Sequence, residues 1–176
     1  MVENGGTSSV QAAANSGRPP MFIGESLHTL DSKFRVFVPK RFQSELGRNA
    51  EGQLELVLCK GQDSCLYLFS LAGFHKAAER LNTEAFTGEE ERNVQRVFFS
   101  RIHVLTLDSA GRVLIPEKLR DVFGGERELA LIGVMQRAEL WPRSVWERIE
   151  EENGNSIGTI DRVLCNQRSP ERGGRS

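Results

Sequence analysis

The amino-acid sequence predicts an α+β fold in which one unit of short strands and short helices occurs twice. The strongest indication is a phrase of eleven residues that recurs once, at residues 29–39 and 106–116, with seven identical positions. A long repeat present only twice is typical of a duplicated domain rather than of a solenoid. In each copy valine or isoleucine occupies alternate positions just before a proline, which predicts a short strand. Two related half-barrels are the expected result.

The same series of elements follows each copy of the phrase. Pro39 and Pro116 suit the first turn of a short helix, where a missing N–H costs little. Gly124 follows the second of these helices, where a left-handed cap is favourable. An amphipathic helix closes each half, capped by Ser70 in the first and started by Pro142 in the second. Between the short and the closing helix each half has a predicted hairpin, at residues 53–59 with 65–69 and 128–133 with 138–141.

The pattern divides the chain into two domains with a link and two tails. We expect the domains at residues 25–72 and 102–145, linking helices at 73–101 and the end of the closing helix at 146–152. Residues 1–20 and 153–176 contain few large apolar groups, so both are predicted to be disordered, the second as a basic tail. The helix predicted at 89–101 has no counterpart in the other half. It is either a solvated connection or a contact between subunits.

The net charge argues against a nonspecific nucleic-acid binder, because 23 Lys and Arg face 24 Asp and Glu, for a formal charge of −1. The distribution of charge differs between the copies. The first-copy window, residues 33–48, carries Lys33, Arg35, Lys40, Arg41 and Arg48 against Glu45 alone. The second-copy window carries Arg112, Lys118 and Arg120 against Glu117 and Asp121. This difference indicates that the two copies have different roles.

The sequence contains no pattern that predicts an enzyme, a cofactor, a metal site or a small-molecule substrate. The three histidines are far apart, and no glycine-rich phosphate loop, nucleophile elbow or His-Glu-x-x-His motif occurs. No apolar run is long enough for a transmembrane helix, and no secretory signal is evident. An odd number of cysteines, Cys59, Cys65 and Cys165, favours a reducing cytosol.

The repeated Asp-x-x-x-Arg motif is open to two interpretations. An arginine fork can bond two acceptors of a phosphate or a guanine, so Arg35 and Arg112 are candidate DNA ligands. An aspartate would face phosphates with like charge, so Asp31 is expected to accept turn N–H groups or to hold the arginine. Alternatively, the motif is an internal ion pair that fixes a hairpin and binds nothing. From the residues alone, these two interpretations are about equally supported.

The chain resembles the MraZ family, bacterial transcription regulators with tandem SpoVT-AbrB-type domains. The resemblance begins at Met21-Phe-Ile-Gly24, includes both copies of the phrase and residues 91–96, and ends in Glu139-Leu-Trp141 and Trp146. It therefore covers essentially the whole predicted core. Members usually begin at the equivalent of Met21, so residues 1–20 are either an unusual extension or an upstream misreading of the start codon.

The resemblance implies a specific fold and function. The fold would be a duplicated swapped-hairpin AbrB-like β-barrel with pseudo-two-fold symmetry and short helices. Such proteins are ring-forming homo-oligomers in the cytoplasm, associated with the nucleoid. They bind direct repeats in double-stranded DNA upstream of a division and cell-wall gene cluster, typically their own operon, which we expect this chain to repress. The alternative is an antitoxin-like protein-interaction module without specific DNA binding.

The resemblance, together with the charges, assigns roles to individual residues. We expect the first copy to contact DNA and the second to be mainly structural. The expected DNA-binding residues are Lys33, Arg35, Lys40, Arg41 and Arg112. The residues expected to structure the loops are Asp31, Ser32, Asp108, Ser109 and Gly111.

One position departs from the family pattern. The residue before the motif arginine is usually glycine, as Gly111 is, but the first copy has Phe34. If the turn requires a positive φ, Phe34 is strained. Alternatively, the loop has another geometry or Phe34 contacts DNA, and of these readings strain is favoured over DNA contact.

Overall fold

The structure, a computed structural model, describes residues 18–81 and 88–154. Its strands are β1 (Phe22–Thr29), β2 (Arg35–Phe37), β3 (Gly47–Arg48), β4 (Leu54–Lys60), β5 (Leu66–Phe69), β6 (His103–Thr106), β7 (Arg112–Leu114), β8 (Glu128–Met135) and β9 (Arg137–Pro142). Its helices are α1 (Lys40–Gln43), α2 (Leu71–Ala78), α3 (Glu89–Phe99), α4 (Arg143–Asn153) and a 3-10 helix (Glu117–Phe123).

The two halves exchange strands. β1 of the first half pairs with β8 of the second, and β6 of the second half pairs with β4 of the first. The remaining contacts between halves join equivalent strands, because β5 pairs with β9 and β2 pairs with β7. The large sheet therefore has a palindromic order, β1-β8-β9-β5-β4, with β6 on the far side of β4. The register of β2 with β7 is symmetric about the Val36–Val113 pair, so the strand pairing has a pseudo-two-fold axis between these strands.

The α+β class is confirmed, but strand pairing leaves two open sheets instead of the closed barrel that the family resemblance implies. Every pair is antiparallel, in one seven-stranded sheet and one two-stranded sheet. Within the described residues, β2 and β7 pair only with each other over three residues. Pro39 and Pro116 follow these strands closely and offer no N–H for a longer ladder. In the part of the chain that the structure describes, no strand of one sheet pairs with a strand of the other.

The main core is built from equivalent positions of the two halves. Buried pairs of this kind are Leu30 with Leu107, Val36 with Val113, Val38 with Ile115 and Phe42 with Leu119. Two smaller clusters lie under the closing helices, where Phe69 meets Phe74 and Trp141 meets Trp146 with ring centroids 5.8 and 6.4 Å apart. The sequence therefore places the closing helices on the correct strands.

The predicted helix ends agree closely with the structure. The Ser70 hydroxyl accepts the Gly73 N–H at 3.1 Å and caps α2, and Gly124 ends the 3-10 helix with φ 57°. Near the limits of the described range, Arg18 makes an ion pair with Glu45 at 3.2 Å, and α4 continues through Asn153. Residues 1–17 and 155–176 of the predicted tails lie outside the described residues.

No described helix combines the length and apolar content needed to cross a bilayer.

Candidate nucleic-acid interface

Each copy of the motif forms a tight turn that its own aspartate closes. Asp31 Oδ1 accepts the backbone N–H of Lys33 at 2.8 Å and of Arg35 at 2.9 Å. In the second turn Asp108 Oδ1 accepts the corresponding groups, including the Arg112 N–H at 2.9 Å. These bonds hold the turn backbone whether or not a ligand is bound. The serines that follow the aspartates are exposed at the tips of the turns.

The second oxygens of the two aspartates and both arginines form an ion cluster beside the pseudo-two-fold axis. Arg35 donates to Asp31 Oδ2 through Nε and Nη2, both at 2.8 Å, and Arg112 donates to Asp108 Oδ2 through both groups at 2.9 Å. Longer contacts cross between the copies, from Arg35 Nη1 to Asp108 at 3.5 Å and from Arg112 Nη1 to Asp31 at 3.6 Å. Internal ion pairing therefore occurs in both copies, while the arginine side chains stay 28% and 35% exposed.

The hydrogen bonds keep both aspartates ionised. The backbone N–H of Arg35 is the largest cause that lowers the pKa of Asp31 to about 2, and the Arg35 side chain adds to it. The backbone N–H of Arg112 likewise lowers the pKa of Asp108. Two carboxylates and two guanidinium groups thus balance each other formally, and cations outside this cluster determine the net charge of the surface.

The residue before each arginine has a left-handed backbone. Gly111 has φ 76° and Phe34 has φ 59°, so the strain predicted for Phe34 is confirmed. A Cβ on Gly111 would lie 2.3 Å from Gln43 Nε2, so a side chain in the second turn would have to displace the Gln43 amide. In the first turn the Phe34 ring is partly buried against the core, and the Arg120 guanidinium lies 3.9 Å from its centroid. That covered ring does not favour base stacking by Phe34.

Gln43 and Arg120 occupy equivalent positions, and each contacts the turn of the other half. Gln43 Nε2 donates to the Val38 carbonyl at 2.7 Å, and Arg120 Nε donates to the Ile115 carbonyl at 3.0 Å. The first turn therefore has Phe34 beside Arg120 where the second turn has Gly111 beside Gln43. Sequence reasoning missed this pairing, because the two changes lie in different halves.

Arg127 is a second functional candidate that sequence reasoning missed. Its Nη2 donates to the Leu30 carbonyl at 2.8 Å and also to the Asp31 carbonyl, so it supports the start of the first turn. The backbone bonds of the two halves show that Leu54 is its equivalent at the second turn. The signal in the sequence that could have identified Arg127 is its position as a basic residue directly before the strand predicted at 128–133.

The predicted basic residues do not form one surface. Lys33 is exposed at the first turn. Lys40 is exposed beside the second turn instead, where it lines a depression together with Arg48, Asp108, Ser109 and Gly111. Arg41 donates to the Glu25 carbonyl at 2.6 Å and therefore lies on β1. The basic window of the sequence is thus divided in space, and each turn receives cations from the other half.

The two cysteines in the described part of the chain are buried. Burial is the largest cause that raises the pKa of the thiols, of Cys59 to about 11 and of Cys65 to about 12. Both cysteines are therefore protonated at neutral pH. Across residues 18–81 and 88–154, no group of three or more His, Cys, Asp or Glu side chains could hold a metal ion.

Comparison with known proteins places the whole described core in one family. The family described as "MraZ protein, putative antitoxin-like" matches the chain twice, over residues 21–97 and 98–164. The two matches correspond to the two copies of the strand-exchanging unit.

Several similar proteins carry the name Transcriptional regulator MraZ. The protein of Finegoldia magna is 37% identical over 133 residues, which cover 76% of this chain and 89% of the relative. That of Moorella thermoacetica is 36% identical over 140 residues, or 80% and 94% of the two chains. That of Caldanaerobacter subterraneus subsp. tengcongensis is 36% identical over 146 residues, or 83% and 98%. The chain belongs to the MraZ family.

Proposed function

We propose that the chain is a transcriptional regulator that binds double-stranded DNA sequence-specifically through its two Asp/Arg turns. The observation that carries this proposal is the pair of turns side by side at the pseudo-two-fold axis, with partly exposed arginines held rigidly by aspartates. The names of the relatives support a regulatory role. A preorganised guanidinium is well suited to bidentate recognition of guanine or phosphate, since little side-chain entropy is lost on binding.

The ion cluster leaves donor capacity for DNA. Arg35 uses Nε and Nη2 for Asp31, and its Nη1 makes only the long contact to Asp108. A guanidinium has five N–H groups, so the outer edge of Arg35 can donate to DNA while Asp31 fixes its inner edge. Lys33 adds a point charge at the tip of the same turn, and Lys40 adds one beside the second turn. Arg41 is bound to the Glu25 carbonyl of β1 and contributes to the general field.

The target that we propose is a set of direct repeats upstream of the gene for this chain, in a division and cell-wall operon that it represses. This would place the protein in the cytoplasm at the nucleoid. A single pair of turns makes few phosphate contacts and binds weakly. Several subunits that each engage one repeat would raise the affinity through effective concentration.

We also propose a ring of identical subunits joined head to tail. Such a ring needs two different surfaces that fit each other. One end of the large sheet exposes apolar side chains of β1 and β8, including Ile23, Val134 and Met135. The helix α3, which has no buried residue and precedes β6 at the opposite edge, exposes Val94 and Val97. Two apolar patches at opposite ends of the large sheet support this arrangement.

We propose that each half is a swapped-hairpin unit. A swapped-hairpin AbrB-like unit at residues 25–72 and another at 102–145 account for the reciprocal pairing of β1 with β8 and of β6 with β4. Residues 73–101 then form the link between the units.

The second candidate function is an antitoxin-like module that binds another protein. The exposed apolar face of α3 and the antitoxin-like family description favour it. A gel shift with the DNA upstream of the gene separates the two functions. Retarded complexes that survive excess unrelated DNA support the regulator. No retardation at micromolar protein would leave the protein-binding module as the better account.

A further inference from the structure

We propose that Arg120 and Arg127 form a composite phosphate-binding site at the first turn, supplied to that turn by the second half of the chain. This inference rests on the proposed DNA-binding function and adds two ligands to it. The ligand would be a DNA phosphodiester group next to the base contact made by Arg35.

The geometry brings both guanidinium groups to one aromatic ring. Arg120 lies 3.9 Å and Arg127 5.8 Å from the centroid of Phe34, the residue directly before Arg35. A cation over an aromatic face is attracted by the ring and fixed in orientation. The Phe34 ring, itself held by the core, thus keeps two positive groups beside the turn.

Both groups retain donors for an anion. Arg120 uses Nε for the Ile115 carbonyl, and Arg127 uses Nε and Nη2 for the carbonyls of Leu30 and Asp31. Within residues 18–81 and 88–154 neither arginine has a carboxylate in ion-pair contact, in contrast to Arg35 and Arg112. Because the Asp/Arg cluster is formally neutral, these two arginines and Lys33 make the first turn positive.

The carboxylates adjacent to Arg127 in sequence are engaged by other groups. Glu126 accepts hydrogen bonds from the Ser144 backbone at 3.0 Å and hydroxyl at 2.6 Å, and Glu128 accepts from the Thr29 hydroxyl at 2.8 Å. Within the described residues neither carboxylate makes an ion pair with Arg127.

The second turn provides an internal comparison. The equivalents of Phe34, Arg120 and Arg127 there are Gly111, Gln43 and Leu54. All three positions differ, and the differences give the first turn an aromatic platform and two cations that the second turn lacks. The same fold therefore accepts the uncharged set, which makes Arg120→Gln and Arg127→Leu matched substitutions with a structural precedent in the chain.

The test measures binding of a duplex that carries the DNA upstream of the gene, by fluorescence anisotropy at several salt concentrations. We expect Arg120→Gln and Arg127→Leu each to weaken binding about tenfold and to reduce the slope of log affinity against log salt by about one. The double variant Phe34→Gly/Arg120→Gln carries the second-turn residues at two of these three positions, so it should fold, and it should bind more weakly than Arg120→Gln because Arg127 loses the ring that holds it.

Two results would overturn the proposal. If both substitutions leave affinity unchanged while Arg35→Ala abolishes it, the proposed function stands and the composite site does not. If affinity falls but the salt slope stays at its wild-type value, the two arginines only support the turn. A wild-type protein that fails to bind the duplex would overturn the proposed function and this site with it.

Discussion

Arg120 lies over the ring of Phe34 across the boundary between the two halves, and Phe34 has a backbone φ of 59°. The chain thus tolerates an unfavourable backbone conformation at a residue whose ring is covered by a cation and the core. The equivalent contact in the other direction is between Gly111 and Gln43. The two turns are alike in backbone and in their Asp/Arg pairs, and this contact is one of the places where they differ.

The positive φ of Phe34 predicts an unusual order of stability among its variants. Phe34→Ala loses the ring and keeps the strain, so we expect a loss of about 1–3 kcal/mol. Phe34→Gly loses the same ring but relieves the strain, so it should be more stable than Phe34→Ala by about 1 kcal/mol. Urea denaturation of both variants checks this order, and an alanine variant that is the more stable of the two would contradict the left-handed turn.

Gly111→Ala should destabilise the protein by about 1–3 kcal/mol, because a Cβ there is strained and collides with the Gln43 amide. Removing that amide with Gln43→Ala should relieve only the collision. The double variant would then be more stable than the sum of the two single changes predicts. Strict additivity in a thermal or urea double-mutant cycle would show that Gln43 does not occupy the space beside Gly111.

The lowered pKa values of Asp31 and Asp108 predict acid destabilisation. A carboxylate that is more acidic in the folded state stabilises the fold above its unfolded pKa, and the contribution is lost as pH falls through the folded value. For Asp31 the loss should occur between about pH 4 and about pH 2. Thermal midpoints across this range would be compared with Asp31→Asn, which should be less stable at pH 7 and less sensitive to acid. A variant with an unchanged acid response would contradict the role of the carboxylate.

The head-to-tail arrangement predicts that a charge in either apolar patch disrupts assembly. Val97→Glu on α3 or Val134→Glu on β8 should reduce the mass measured by light scattering during size-exclusion chromatography, since a buried unpaired carboxylate is costly. Leu114→Glu is the matched control, because Leu114 is equally apolar and 50% exposed but lies outside both patches. A wild-type monomer, or variants with the wild-type mass, would argue against these surfaces.

The local structure could be predicted from the sequence because it depends on neighbouring residues. The alternation before Pro39 and Pro116, the cap at Gly124 and the strain at Phe34 all follow from positions close together in the chain. The exchange of strands between halves could not be read from periodicity, since equivalent strands carry equivalent patterns and either partner would satisfy them. The cations of the first turn, Arg120 and Arg127, were missed because register across the halves brings them there.

The roles of the basic window depended on the same long-range information. Lys40 follows the first copy in sequence but lies beside the second turn, and Arg41 contacts β1. The charges counted along the chain therefore distinguish a basic first copy from a second copy with acidic neighbours. In the fold the basic residues are divided between the two turns and β1. The Asp/Arg ion cluster likewise required both halves, because its longer contacts cross the axis.

The most direct test of the central claim compares Arg35→Ala with Arg143→Ala in binding to the DNA upstream of the gene. Arg143 is also paired with a carboxylate four residues away, Glu147, but it lies on α4, so it controls for loss of an arginine ion pair. With fold and assembly checked by circular dichroism and light scattering, we predict that Arg35→Ala abolishes specific binding and that Arg143→Ala binds like wild type. Wild-type affinity for Arg35→Ala would contradict the account, and loss of binding in Arg112→Ala alone would assign DNA contact to the second turn.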